Sequence, residues 1–225
     1  MAVKALVWDL DGTIVDSFKA TTGLISKMAP SYGFAVPTQK AYKENYHGPL
    51  DETISNAFGG ELVGERLQEF VDEFLATQSD DYAEIERFIL EDALDLSQRA
   101  TRKQLKQVVV TNRHHEGRGH ASPRSIVEKS AFKEHIHEVI CGDDLDGLRK
   151  PDPKVLGNLL EQWGIAADEL LVIGDQYVDA QLALNLGCKA IIVLRDGEDL
   201  VHAHKLDKNW QEHVTIVTSL KEFIL

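Results

Sequence analysis

The segment Leu6-Val7-Trp8-Asp9-Leu10-Asp11-Gly12-Thr13 constrains this chain more than any other. An apolar run from Val3 to Trp8, broken only by Lys4, ends in two aspartates one residue apart, followed at once by Gly-Thr. A short apolar run of this kind reads as a buried strand. Its end leaves Asp9 and Asp11 where a parallel sheet opens its ligand crevice. Two carboxylates held this close repel each other unless a cation or a proton sits between them. The segment therefore asks for a divalent metal and for further partners along the chain.

Those partners follow in order. Val108-Val109-Val110-Thr111-Asn112 is a second apolar run, ending in a hydroxyl. Lys150-Pro151-Asp152-Pro153 places a lysine ahead of a proline-started helix, and Leu170 to Asp175, followed by Asp179, is a third run ending in acid. Taken singly, Asp175 or Thr111 reads equally well as a helix cap, Asp179 as the cap of its own helix and Lys150 as a surface lysine. Together and in this order they resemble the haloacid dehalogenase-like hydrolase superfamily, whose motifs are DxD with Gly-Thr, a Ser/Thr, a Lys and a paired-acid segment. The resemblance covers residues 1–16 and about 105–195; residues 17–88 match nothing specific. Position 176 is Gln where many relatives carry Ser, a change in hydrogen bonding around the site that removes no ligand.

The resemblance implies an aspartyl-phosphate enzyme, closest in appearance to phosphoglycolate phosphatases. Asp9 is then the nucleophile, and Asp11 the general acid for the leaving alcohol and later the base for water. Thr111 and its neighbour's N–H donate to the phosphate, with Lys150 adding positive charge. Asp9, the Asp11 backbone carbonyl and Asp175, with Asp179 in support, hold the metal. Magnesium is expected, because the ligands are hard oxygens with no His or Cys among them. Asn112, Arg113 and the His47-Gly48-Pro49 turn are further candidates for substrate contact, the turn facing the leaving group. The run Asn112 to His120 is basic and rich in histidine, suited to a second anionic group on the substrate. A metal site from His114, His115 and His120 is the sharper alternative to solvated loop histidines.

Competing activities separate on the same residues. A phosphomutase of the beta-phosphoglucomutase type uses the same aspartate chemistry, but Asp51 and Glu52 stand where such relatives tend to carry basic residues. A haloacid dehalogenase has no use for a protonating Asp11, and phosphonatases lack an acid there. A response-regulator receiver is shorter, with its phosphorylated aspartate later in the chain. Outside enzymes, a phosphate-binding protein that kept the fold without turnover is the remaining reading.

Bulk properties narrow the partners. With 24 basic and 37 acidic residues among 225, the net charge is −13. Such a surface repels nucleic acid and anionic membranes. The expected partner is a small phosphorylated metabolite, with the protein a monomer or small homo-oligomer. Cys141 and Cys188 lack zinc or disulfide spacing. The first residues do not read as a secretory signal, and no apolar stretch approaches the roughly 20 residues of a membrane helix. A cytoplasmic location is expected.

Strand and helix signals alternate from residue 89 onward, which predicts an α/β fold: a Rossmann-like parallel sheet flanked by helices. Helices are expected near 91–103, from Pro123 to about 130, from Pro153 to Trp163, at 178–186 and at the C-terminus. Strands are expected at 107–111, 136–140, 170–174, 189–194 and 214–217. Residues 17–88 show helical spacing instead, with Leu62, Leu67, Phe70, Val71, Phe74 and Leu75 largely on one face. By resemblance this block is an inserted helical cap (17–88), leaving 1–16 and 89–225 as the catalytic core.

Overall fold

The computed structural model describes residues 2–38, 41–42, 50–116, 118–195, 200 and 202–224. They form two compact units: Met1–Asp16, Ile89–Gly117 and Ser122–Leu225 make one, and Ser17–Phe88 with Arg118–Ala121 the other.

The first unit is built on a six-stranded, all-parallel sheet. Its strands are β1 (Ala5–Trp8), β2 (Lys106–Val110), β3 (Glu138–Ile140), β4 (Leu170–Gly174), β5 (Lys189–Val193) and β6 (Val214–Val217), in the order β3-β2-β1-β4-β5-β6. The central strand explains the apolar run. All four residues of β1 are buried, as expected where a parallel sheet is covered on both faces. Trp8 lies level with Val109 on one side and Ile173 on the other. Chain order reverses across β1, between β2 and β4, so its carboxyl end opens at the switch point where α/β sheets bind ligands.

A polar network is buried beside this strand. Trp8 Nε1 donates to Gln107 Oε1 at 3.0 Å, which also accepts from Ser97 Oγ at 2.8 Å; Gln107 Nε2 donates to Ser97 O at 3.0 Å. Every one of these groups has a partner, so the network fixes the last strand residue before Asp9 without an unsatisfied polar group.

Helix α4 of this unit spans Glu91–Arg102, α5 Pro123–Lys129, α6 Leu159–Trp163 and α7 Tyr177–Leu186. The helix expected from Pro153 to Trp163 is broken. A 3-10 turn at Pro153–Leu156 ends at Gly157, whose φ of 48° and ψ of −129° no helix contains, and α6 restarts two residues later. The expected C-terminal helix is a single 3-10 turn, Leu220–Glu222.

In the second unit, α1 spans Ser17–Met28, α2 Leu50–Ala57 and α3 Gly64–Asp81. Their core joins Leu24, Ile25, Ile54, Phe58, Leu62, Phe70 and Phe74. Phe70 and Phe74 face it one turn apart, with Phe58 5.5 Å from Phe70 between ring centroids. Leu62 shares this core but precedes α3, so it packs from the loop rather than from the helix stripe. Residues 118–121 belong with these helices: the His120 N–H donates to Ser79 Oγ at 3.0 Å. Among the described residues, no helix is long and apolar enough to cross a membrane.

Candidate active site

The chain leaves β1 by a turn that only glycine fits. Gly12 has φ +78°, and a Cβ on it would lie 2.0 Å from Asp175 Oδ2. Gly174, at the end of β4, is equally close to its neighbours: a Cβ there would meet Asp179 Cγ at 2.2 Å. Gly12 lets the turn after β1 approach Asp175 at the end of β4, and Gly174 lets Asp179, in the first turn of α7, come down against that strand's end.

In that space Lys150 Nζ, almost wholly buried, donates to Asp9 Oδ1 and, at 2.7 Å, to Asp179 Oδ1. Thr13 Oγ1 donates to Asp9 Oδ2 at 3.4 Å, and the Gln176 N–H to Asp179 Oδ2 at 3.1 Å. The Gln176 contact runs through its backbone, so the departure from Ser at this position leaves that bond intact. Asp9, Asp175 and Asp179 offer carboxylate oxygens within 4.8 Å of one another. Asp175 Oδ1 is buried with no hydrogen-bond partner among the described residues.

The electrostatics follow. Burial, helped by Asp179 and Asp11 and opposed by Lys150, pushes the Asp9 carboxyl up to about 7. Burial and the charges of Asp9 and Asp179 raise Asp175 well above the ordinary carboxylate range. Lys150 is penalised by burial, but the carboxylates of Asp179 and Asp9 more than offset this and raise its pKa. One ammonium therefore faces two buried acids and the half-buried Asp175, and the positive charge falls short. A hard, oxygen-lined cluster with an orphaned carboxylate oxygen fits a divalent cation.

The second motif supplies the rest. Thr111 is buried and accepts from the Arg113 N–H at 3.1 Å. Asn112 does not aim its amide at open space: Oδ1 accepts from the Lys150 N–H at 2.8 Å and Nδ2 donates to Lys150 O at 3.2 Å. It holds the lysine's backbone from both sides, a role that spacing 38 residues apart gave no signal for. Arg113 reaches Asp11, Nε donating to Oδ2 at 3.0 Å and Nη2 to Oδ1. The Asp11 side chain is thus paired with a guanidinium rather than joined to the three-acid cluster.

Of the other expected residues, His47 and Gly48 lie outside the described residues. Among the described residues, none of the loop histidines joins a group of possible metal ligands. Among the described residues the groups of three possible ligands are Asp9–Asp175–Asp179 and Cys141–Asp143–Asp144, and neither contains a histidine. The N–H groups of His115 and Glu116 instead donate to the Asp143 carboxylate at 2.8 and 2.9 Å, which shapes the loop. These bonds hold the Asp143 carboxyl down at about 2. Arg195 and Asp92 passed unnoticed in the sequence. Arg195 Nη1 donates to Asp92 Oδ2 and Nη2 to Thr13 O at 3.3 Å, bracing the turn after β1.

The chain is similar to several known proteins. The family model described as haloacid dehalogenase-like hydrolase matches residues 6–193. A phosphoglycolate phosphatase of Rhodospirillum rubrum is 28% identical over 203 residues, covering 84% of this chain and 79% of the relative. An N-acetylmuramic acid 6-phosphate phosphatase of Pseudomonas aeruginosa is 25% identical, covering 86% and 82%. The crystal structure of CbbY from Rhodobacter sphaeroides in complex with phosphate superposes with a TM-score of 0.68 at 16% identity, over 98% of this chain and 96% of that one, a likeness of fold. With a parallel sheet, acids at the ends of β1 and β4 and a family match over most of its length, the chain belongs to the haloacid dehalogenase-like hydrolases.

Proposed function

We propose that this protein is a magnesium-dependent phosphatase that hydrolyses a small phosphomonoester through an aspartyl-phosphate on Asp9. The observation that carries the reading is the buried cluster itself. Asp9 is gripped by Lys150 and Thr13 beside two further acids, one of them with an unpartnered oxygen. Such an arrangement is unfavourable as a structural device and useful as a site for a cation and a phosphoryl group. The relatives named for phosphoglycolate and N-acetylmuramic acid 6-phosphate support the substrate class, since both names denote phosphomonoesters.

Asp9, Asp175 and the Asp11 backbone carbonyl would hold the magnesium, with Asp179 in support. Once bound, the ion offsets the carboxylate charges and polarises the phosphoryl oxygens. The remaining work falls to the protein's own groups. Thr111 and Lys150 bind the phosphoryl oxygens, and Asn112 holds Lys150 in place for this. Asp9 attacks phosphorus as the bond to the leaving oxygen breaks, and Asp11 gives that oxygen a proton. Water then attacks phosphorus and passes a proton to Asp11, while the Asp9–phosphorus bond breaks to release inorganic phosphate. His47 and Gly48 remain, from the sequence, the candidates for leaving-group recognition.

The test is release of inorganic phosphate from a panel of small phosphomonoesters with magnesium, with Asp9→Asn as the control. Release that needs both the metal and Asp9 is expected. Release from no substrate, or an unchanged rate in the variant, overturns the proposal.

A further inference from the structure

The general acid just proposed is not free to act. Both oxygens of the Asp11 carboxylate are engaged by the Arg113 guanidinium, through Nε and Nη2. While that fork is closed, both Asp11 oxygens are turned to Arg113 rather than to a leaving oxygen. The fork is also well placed: the Arg113 side chain is 11% exposed, and its backbone is anchored by the bond from its N–H to Thr111 Oγ1. The preceding residue is tied to both sides of Lys150. The whole stretch 111–113 is therefore pinned to the site, and the guanidinium ends at the Asp11 carboxylate rather than at Lys150.

A guanidinium presents a planar pair of donors that matches a carboxylate and is costly to leave half-used. A neutral leaving group entering here forfeits that pairing when Asp11 turns to its work. A leaving group with its own carboxylate replaces Asp11 like for like. Resting on the phosphatase reading, we infer that Arg113 is a specificity-determining residue that binds a carboxylate on the leaving-group side of the substrate and in exchange releases Asp11. The substrate class is then a phosphomonoester of a small hydroxy acid. Recognition and activation are coupled by the same fork: the ligand that belongs in the site is the one able to open it.

The experiment compares kcat/KM for 2-phosphoglycolate and for 2-hydroxyethyl phosphate, its neutral counterpart of similar size, in wild type, Arg113→Gln and Arg113→Lys. Taking both substrates on one preparation cancels any difference in folded fraction. The wild type is expected to prefer the carboxylate substrate, and Arg113→Gln to lose that preference by roughly a hundredfold, mainly through KM for the carboxylate substrate. Arg113→Lys keeps the charge but not the fork, so it retains part of the preference. Absence of a preference in the wild type overturns the inference. So does a ratio unchanged in both variants, or an equal loss on both substrates, which assigns Arg113 to the transferred phosphoryl group. Those results leave phosphate release intact in the wild type; release from neither substrate overturns the phosphatase reading itself, and this inference with it.

Discussion

Two buried clusters of acid and base lie in the same α/β unit, and they are built on opposite principles. In the first, Lys150 confronts Asp9, Asp175 and Asp179, and one Asp175 oxygen has no partner among the described residues. In the second, Asp92 Oδ2 alone accepts from Arg195 Nη1, from the Leu220 N–H at 2.9 Å and from Ser219 Oγ at 3.2 Å. The consequences diverge. Burial drives the Asp9 carboxyl up to about 7, whereas at Asp92 the pull of burial is outweighed by the bonds from Arg195 and Leu220, and the carboxyl settles below its ordinary value. An over-satisfied carboxylate holds structure together; an under-compensated cluster is strained until something positive and something reactive enter it. Charge balance, more than burial, separates the candidate site from the strut.

The sharpest test of that division is Asp9→Asn. Phosphate release should fall by about four orders of magnitude or more, since the proposed nucleophile is lost. The metal-free unfolding midpoint should not fall, because the variant removes one of three crowded acids. Calorimetry alongside the assay checks both; a large loss of stability would place Asp9 with Asp92, among the structural acids. Lys150→Met should cost roughly 10²- to 10³-fold in rate, as preorganised charge at the phosphoryl group is removed. Unlike Asp9→Asn it should also lower stability, since it leaves Asp9 and Asp179 without their shared cation.

Magnesium sharpens the contrast further. At a hundredfold excess over its dissociation constant a bound ion stabilises the fold by about 2.7 kcal/mol. That gain should vanish in Asp175→Asn and persist in Asp92→Asn. The latter should instead lose about 2 kcal/mol of stability in urea unfolding, as Arg195 keeps its charge and loses its counter-ion. Per folded molecule, its turnover should stay near wild type. A turnover loss as large as that of Lys150→Met would show that the brace from Arg195 to Thr13 O carries more than stability.

These two clusters also differ in how readable they were. Asp9, Thr111, Lys150 and Asp175 could be picked out because each stands at a sharp change of pattern, the first, second and last closing apolar strands buried on both faces. The parallel sheet followed from the same runs. Asp92 and Arg195 are 103 residues apart, one in the first turn of an amphipathic helix and one just past β5, and no period links them. Asn112 and Arg113 were legible as candidates but not in their roles. A side chain's choice between ligand, backbone and neighbouring acid depends on three-dimensional proximity that spacing does not encode. The break at Gly157 was missed for a related reason: apolar periodicity runs on across a residue whose backbone cannot.

The smallest effect tests the comparison most directly, because the two clusters tilt stability against pH in opposite senses. Asp9 is raised in the folded state, so between about pH 4 and 7 the metal-free native protein holds a proton that the unfolded chain has released, and stability falls as pH rises. The expected slope is roughly 1 kcal/mol per pH unit between pH 5 and 6. Asp92 is lowered, so its contribution is complete above the ordinary carboxylate value and is lost as pH falls through its depressed one. Metal-free stability should therefore peak in mildly acid solution, with the upper limb set by the three-acid cluster and the lower by the strut. Saturating magnesium should flatten the upper limb, since the cation replaces the proton there, and leave the lower limb in place until the site itself is titrated. Asp92→Asn should soften only the lower limb. Urea titrations at pH 5 and 6, with and without magnesium, decide the matter: an upper limb that survives magnesium would mean that the strain in the first cluster is not relieved by a metal.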